Sequence, residues 1–224
     1  MGGHPLIAYT ISLAFESELF SKVVVSSDSD LILEASSAYG DVTQVKRPVK
    51  YALDSSPDIE WISHVIEYLA IDQSEYEYLT ILRPSNPLRK TVNLKKAHQY
   101  FSNSVGFDSL RAMQVVRQHP GKVWQLDDKT GLATPLLDKD ILGTPWHSSP
   151  TNFLPEYYYQ DASLEITTVA NVKNSNSLAG GRVLGWKSDS IEGFDLNYEE
   201  DWQYLMYLID NDKLKLNNIG KKEK

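Results

Sequence analysis

Two hydrophobic periods alternate through the first half of the chain. In HPLIAYTISLAFES, residues 4–17, the apolar residues Leu6, Ile7, Ile11 and Ala14 recur on one helix face, and Pro5 stands near the first turn. KVVVSSDSD, residues 22–30, is a continuous β-branched run ending in Ser and Asp, as buried parallel strands do. DLILEASSAYG predicts a second helix closed by Gly40, and DVTQVKRP a short strand. SSPDIEWISHVIEYLA predicts a helix with Ser56 as its cap and Pro57 at its first position. EYLTIL is a strand that runs into the proline-rich loop RPSNPLR, and TVNLKKAHQYF is a further helix.

The order helix, strand, helix, strand, helix, strand predicts a Rossmann-like α/β fold with a mostly parallel sheet and right-handed crossovers. One feature is unusual: the pattern opens on a helix, whereas a doubly wound domain normally opens on a strand.

The pattern changes in the middle. Residues 107–137 alternate apolar and polar positions, with turns at HPGK and DDKTG, and predict a β-rich appendage over about residues 108–158. PWHSSPTNFLPEYYYQ has no period and reads as an ordered loop. ASLEITTVANV predicts a last core strand, GRVLGWK a short strand, and YEEDWQYLMYLIDN a closing helix. With 224 residues, the chain fits a single domain over 1–210 that carries the appendage, followed by a solvated tail over 211–224.

Composition narrows the function classes. There is no cysteine, so disulfides and thiolate metal sites are excluded. No apolar run approaches the roughly 18 residues of a membrane span, and no signal-peptide pattern leads the chain, which predicts a cytoplasmic protein without a membrane partner. A formal charge of −8 argues against a nucleic-acid partner, yet leaves room for a local cluster of arginines that binds a small anion.

Ligands of parallel sheets bind beyond the carboxyl ends of the strands. Four polar clusters fall at such ends: Ser26 to Asp30 with Asp28, Arg47–Pro48, Arg83 to Arg89 with Ser85 and Asn86, and Asp195 to Asn197. They offer cations, hydroxyls and amides for an anion, and carboxylates for a hard metal ion. Duller roles suit some of them equally: Asp28 or Ser29 as a helix cap, Arg47 in a surface ion pair, Asp195 in a turn. Two arginines on a proline-stiffened loop are preorganised donors for a carboxylate or phosphate. Sequence motifs for nicotinamide cofactors, P-loop nucleotides and serine esterases are missing. The five histidines, at 4, 64, 98, 119 and 147, lack zinc-site spacing. His119 and His147, in loops, are candidates for chemistry; His64 and His98 fall in helix patterns.

Read in order, these clusters resemble the acylneuraminate cytidylyltransferase family. GGHPLIAYTI resembles that family's G-G-K-P-L-I-A-Y-T-I, VVVSSDSD its V-V-S-T-D-S-D, and VKRPVKYALDSS its K-R-P-x-x-L-A-x-D-x-S. LRPSNPLR resembles L-Q-P-T-S-P-L-R, and FDLNYEEDW resembles I-D-I-D-x-x-x-D-W. The matches are colinear over about residues 2 to 205. The resemblance implies a three-layer nucleotide-diphospho-sugar-transferase-like fold, with Mg²⁺ as cofactor and CTP and an acidic nine-carbon sugar as substrates. In the implied reaction the sugar's anomeric hydroxyl attacks the α-phosphate and pyrophosphate leaves. Carried over by position, Asp195 matches the first metal-site aspartate, with Asn197 beside it. Ser26, Asp28 and Arg47 face the nucleotide, and Arg83, Ser85, Asn86 and Arg89 meet nucleotide and sugar. Lys122 resembles a catalytic lysine after H-P, and Gln160 and Glu165 border the sugar. The appendage is implied to make a homodimer.

Three departures bear on these expectations. The family opens with a strand and an R-G-G-S-K-G-x-P-x-K-N loop that the present sequence lacks, so feeble turnover or none is expected of the 224-residue form. Asn197 replaces a second aspartate, removing a negative charge from the metal site. Arg83 replaces a glutamine, so the sugar is expected to differ from N-acetylneuraminate. The alternatives are a non-catalytic homologue that keeps a sugar- or partner-binding surface, and a nucleotidyltransferase for another sugar.

Overall fold

The structure is a computed structural model that describes residues 1–189 and 191–219. In chain order the elements begin α1 (Leu6–Ser17), β1 (Val24–Ser27), α2 (Asp30–Ser36), β2 (Thr43–Lys46), α3 (Asp58–Tyr68), β3 (Tyr78–Ile81), α4 (Thr91–Ser102) and β4 (Ser109–Val115). There follow β5 (Trp124–Leu126), β6 (Ala133–Pro135), β7 (Asp140–Ile141), β8 (Thr144–Pro145), β9 (Tyr158–Thr168), α5 (Val169–Ser175), β10 (Val183–Lys187) and α6 (Glu199–Asp210). The chain divides into two compact units, one of residues 1–112 and 161–224, the other Met113–Gln160.

In the first unit the strands form two separate sheets. β1 and β2 pair in parallel, with Val24 opposite Thr43. The other sheet has the order β10-β4-β9-β3, and β3 runs antiparallel to β9 with Ile81 opposite Glu165. The expected mostly parallel sheet is thus parallel at β1 and β2 and antiparallel where β9 joins β3.

Helices cover both faces. Leu13 of α1 and Leu94, Ala97 and Phe101 of α4 pack on Leu110, Ala112, Leu164, Ile166 and Leu184 of β4, β9 and β10. Ile62 and Ile66 of α3 and Val172 of α5 pack on Ile81 of β3. Ile11, Val25 and Leu33 join α1, β1 and α2. On β9 the two-residue period sends Leu164 and Ile166 into the first of these cores and sends Ser163, Glu165 and Thr167 to the opposite face. All five are buried, which is why the segment reads as a continuous run rather than a clean alternation.

Several boundaries differ from the sequence reading. α2 ends at Ser36 rather than Gly40, because Ser36 and Ser37 turn their hydroxyls back onto the carbonyls of Leu33 and Glu34. α3 begins at Asp58, leaving Pro57 as its extended flanking residue; the Ser56 hydroxyl bonds the Lys50 carbonyl instead of capping. The last core strand stops at Thr168, whose hydroxyl accepts from the Asn171 N–H and starts α5. In the expected tail, Asn217 donates to the Arg89 carbonyl at 2.9 Å; residues 220–224 of that tail lie outside the described residues.

The second unit holds the β5–β6 and β7–β8 hairpins and three 3₁₀ turns over Pro120–Lys122, Trp146–Ser148 and Thr151–Phe153. Its centre is an edge-to-face cluster of His119, Trp146 and Tyr157.

Candidate active site

The loop after β3 is clamped at both ends. Pro84 and Pro87 withhold N–H donors, so strand pairing ends at Ile81. The Arg83 carbonyl accepts from the Asn86 N–H at 3.2 Å, closing a turn. The Asn86 side chain, wholly buried, donates to the Phe194 carbonyl at 3.2 Å, and the Leu196 N–H donates to the Ser85 carbonyl at 2.9 Å. These two bonds clip residues 83–89 to residues 194–196 and bring Ser85 and Asn86 beside Asp195.

Arg89 points inward. Its Nε donates to the Ser163 carbonyl at 2.5 Å, Nη1 to Thr10 Oγ1 at 3.3 Å, and Nη2 to the Arg83 carbonyl. Burial lowers its pKa to about 9, aided by the charge of Arg83 and opposed by Asp195, Glu192 and Asp161. It stays cationic at neutral pH and serves the site from behind, fixing the loop's backbone. A buried guanidinium tolerates that position because carbonyls and nearby carboxylates replace its water.

Arg83 points the other way and bridges two carboxylates, Asp58 at the start of α3 and Glu165 on β9. Glu165 also pairs with Arg111 on β4. Burial lowers the Arg111 pKa, with a further contribution from Arg83 and an opposing one from Asp58. Arg47 donates from Nε to Ser26 Oγ at 3.2 Å and from Nη2 to the Ser26 carbonyl at 2.8 Å, and lies 4.6 Å over the Trp61 ring. Trp61 Nε1 in turn donates to Asp58 Oδ1 at 2.8 Å. Burial lowers the Arg47 pKa, and Asp28 and Asp58 hold it up. Asp58 therefore ties the Arg47 and Arg83 groups into one network.

Ser26, Arg47, Asp58 and Arg83 share the wall of a cavity of about 420 Å³ that continues between β1 and β3. Its polar end lies at the carboxyl ends of those two strands, where open α/β sheets take their ligands. The expected gathering of arginines is therefore present for positions 47 and 83, while Arg89 stands behind the loop and Asp28 is exposed beside Ser27.

Among the described residues, Asp195 Oδ1 is buried without a hydrogen-bond partner, and Oδ2 accepts from Asn197 Nδ2 at 3.0 Å. The Asn86 amide oxygen is likewise buried and unpartnered. Orphaned hard oxygens of this kind fit Mg²⁺, which takes one or two carboxylates and completes its shell with water and phosphate. Among the described residues no three His, Cys, Asp or Glu side chains cluster into a ready-made protein cage.

Lys122 and Gln160 belong to the second unit. The Lys122 ammonium donates to the His147 carbonyl at 2.9 Å and to the Ser149 carbonyl; Gln160 is exposed on β9. His119 is buried with both ring nitrogens engaged, Nδ1 accepting from the Gly121 N–H and Nε2 donating to the Pro155 carbonyl. It is part of that unit's packing. The His147 ring packs against Trp124 at a tilt of 51°, with centroids 4.6 Å apart.

Sequence reasoning missed Asp58, Trp61 and Arg111. Asp58 stands in the first turn of α3, where an acidic residue is ordinary and signals no ligand. Arg111 carried a signal: an arginine inside the otherwise apolar strand SLRAMQV needs a buried partner.

The fold and the cluster at the strand ends define the class first: an α/β protein with the cytidylyltransferase fold. The chain superposes on CMP:2-keto-3-deoxy-manno-octonic acid synthetase complexed with CTP with a TM-score of 0.62, at 10% identity over 93% of this chain and 88% of that one. By sequence it is related to the N-acylneuraminate cytidylyltransferases and the CMP-nonulosonate synthases. It is 33% identical over 89% of its length to the N-acylneuraminate cytidylyltransferase of Escherichia coli O18:K1:H7, and 24% identical over 92% to that of Streptococcus agalactiae serotype III. The chain spans about half the length of these two relatives, 44% and 47%. It is 26% identical over 94% of its length to CMP-N,N'-diacetyllegionaminic acid synthase of Legionella pneumophila and covers 87% of that protein. No family model matches the chain.

Proposed function

We propose that the site holds CTP beside an acidic nine-carbon sugar, sialic acid or a related nonulosonate, and transfers the cytidylyl group to give CMP-sugar and pyrophosphate. The observation that carries this reading is the Arg83 guanidinium, fixed between Asp58 and Glu165 at the end of β3, in one cavity wall with Arg47 and Ser26. The relatives' sequences and the fold support it.

Each side chain has a part. Arg47, Ser26 and Asp28 orient the nucleotide. Arg83 offers its planar fork to a carboxylate or phosphate once an anion competes with Asp58, which is 38% exposed, for its donors; Glu165, 4% exposed, stays behind as its anchor. Ser85 supplies a hydroxyl from a loop that the buried Arg89 and Asn86 have already made rigid, so Asn86 acts by positioning rather than by touching the ligand. The sugar's anomeric oxygen forms a bond to the α-phosphorus, the bond from that phosphorus to the pyrophosphate oxygen breaks, and the hydroxyl proton is lost. Asp195 and Asn197 would hold Mg²⁺, which would neutralise phosphate charge. The catalytic part of Lys122 and the sugar contact of Gln160 rest on sequence resemblance alone.

Two further parts of the reading concern the whole protein. The second unit exposes Leu126, Leu132, Leu136, Leu142 and Phe153, each more than half accessible, and in this reading these side chains are covered in a homodimer. Light scattering should then give twice the chain mass, and a monomer at micromolar concentration would exclude the dimer. We also place the protein in the cytoplasm, where CTP is made; among the described residues no helix is long and apolar enough to cross a membrane.

The test is pyrophosphate release from CTP and Mg²⁺ with a set of nonulosonates. Arg83→Ala is expected to raise the KM for the sugar about tenfold or more, the loss of one charged hydrogen-bonded contact. Unchanged constants for both substrates would remove Arg83 from the site.

A further inference from the structure

A row of charge crosses one face of the four-stranded sheet. β4, β9 and β3 are neighbours in the order β10-β4-β9-β3. Glu165 stands on the middle strand, opposite Ile81 at the end of β3. Opposite residues of an antiparallel pair point to the same face, so Glu165 lies on the face that Ile81 turns toward Ile62 and Ile66 of α3. On one flank its carboxylate pairs with Arg111 of β4, and on the other with Arg83, just beyond Ile81. Asp58 of α3 closes the row from the far side of Arg83. The row therefore reads Arg111, Glu165, Arg83, Asp58, and its last two members line the cavity.

Arg111 is the costly member. It is 7% exposed, inside β4 between Leu110 and Ala112, which pack into the apolar core. Burying an arginine and a glutamate is expensive, and apolar side chains of similar volume would stabilise such a position at least as well. Packing therefore gives no reason for a cation there, whereas charge balance at Arg83 does. Arg83 and Arg111 offset Asp58 and Glu165, two charges against two. When an anion takes the place of Asp58 on the Arg83 fork, Glu165 is still satisfied by Arg111. Without Arg111, Glu165 would face Arg83 alone and the row would carry an excess negative charge, which grips the fork and repels the incoming anion. The charges do act along the row. Burial lowers the Arg111 pKa, the charge of Arg83 lowers it further, and that of Asp58 opposes both.

We propose that Arg111 is a positioning residue: it shares the Glu165 carboxylate and so leaves the Arg83 fork free to exchange Asp58 for an anionic group of the substrate. This rests on the reading of Arg83 as the group that meets the sugar, and it adds the residue that keeps Arg83 available.

Two readouts test it. The first is steady-state pyrophosphate release with CTP, Mg²⁺ and whichever of the nonulosonates is turned over fastest. Arg111→Met should raise the sugar KM about tenfold, while kcat and the KM for CTP change by less than about twofold. Arg111→Lys keeps the charge and should recover most of the loss. Asp58→Asn in the Arg111→Met background restores the charge balance and should bring the sugar KM back toward the parent value, a rescue that a purely structural role would not show. The second readout needs no turnover: the rate at which phenylglyoxal modifies Arg83, followed by peptide mass mapping. A fork gripped more tightly by carboxylates is modified more slowly. Arg111→Met should slow the reaction several-fold, Asp58→Asn should hasten it, and the double variant should react like the parent. Asp58 is 38% exposed, so Asp58→Asn serves as the test if Arg111→Met does not fold. An unchanged labelling rate in either single variant overturns the proposal, whether or not the chain turns a sugar over. Equal losses in kcat and both KM values, with no rescue by Asp58→Asn, overturn it as well. The expected labelling changes in a parent protein without turnover would instead overturn the enzymatic reading and leave the role of Arg111 standing.

Discussion

Arg83 and Arg89 are six residues apart on one loop, yet do different work because of what surrounds them. Arg89 is 4% exposed and spends its donors on protein oxygens, so it is scaffolding; Arg83 reaches the cavity and is neutralised by two carboxylates of unequal burial. The same attention to surroundings gives a pH prediction for His98. Its Nε2 lies 2.9 Å from Thr80 Oγ1, its ring meets Phe20 edge-on, and burial pushes its pKa down to about 4. In the unfolded chain the imidazole takes up its proton near pH 6.5. Between those two values the unfolded state holds more protons, so stability falls as pH drops from about 6.5 to about 4, by up to roughly 3 kcal/mol from this group. His98→Gln keeps a partner for Thr80 and removes the titration. Urea unfolding at pH 7 and pH 4.5 should show a smaller acid loss in the variant; an equal loss in both proteins would mean that His98 is not buried as described.

Among the elements, the clip between residues 83–89 and 194–196 sets the site's geometry. Asn86→Ala deletes the bond to the Phe194 carbonyl and leaves that carbonyl without its partner. The expected cost is about 1–3 kcal/mol in urea unfolding, and an unchanged stability would show that the loop does not depend on the clip. Helices and strands of the first unit were legible because their periods are strong: Leu6 to Ala14 on one face of α1, the β-branched run of β1, the apolar stripe of α3. Boundaries were less legible wherever short polar side chains decide them. Ser36 and Ser37 fold back on their own helix, and Thr168 switches β9 into α5, both local contests between backbone and hydroxyl that propensity does not rank. The site was legible in its loops and not in its supports. Arg47 and Arg83 stand after strands, where chemistry is expected, whereas Asp58 and Arg111 reach them from a helix start and a strand interior, through contacts fixed only when the layers pack.

At the scale of the whole molecule, the strands of the first unit form two sheets rather than the one mostly parallel sheet that the helix–strand order predicts. The cavity between β1 and β3 has its polar end where Ser26, Arg47, Asp58 and Arg83 share a wall. In the proposed function this polar end is a cytidine nucleotide site. It is tested most directly by the thermal shift of the protein with CTP, UTP, GTP and ATP, each with Mg²⁺. A ligand held at a hundred times its Kd stabilises the native state by about 2.7 kcal/mol, enough to read as a clear rise in Tm. CTP should raise the Tm above the other three nucleotides, and Arg47→Ala should abolish the difference. Equal shifts from all four nucleotides, or none from CTP at millimolar concentration, would contradict it.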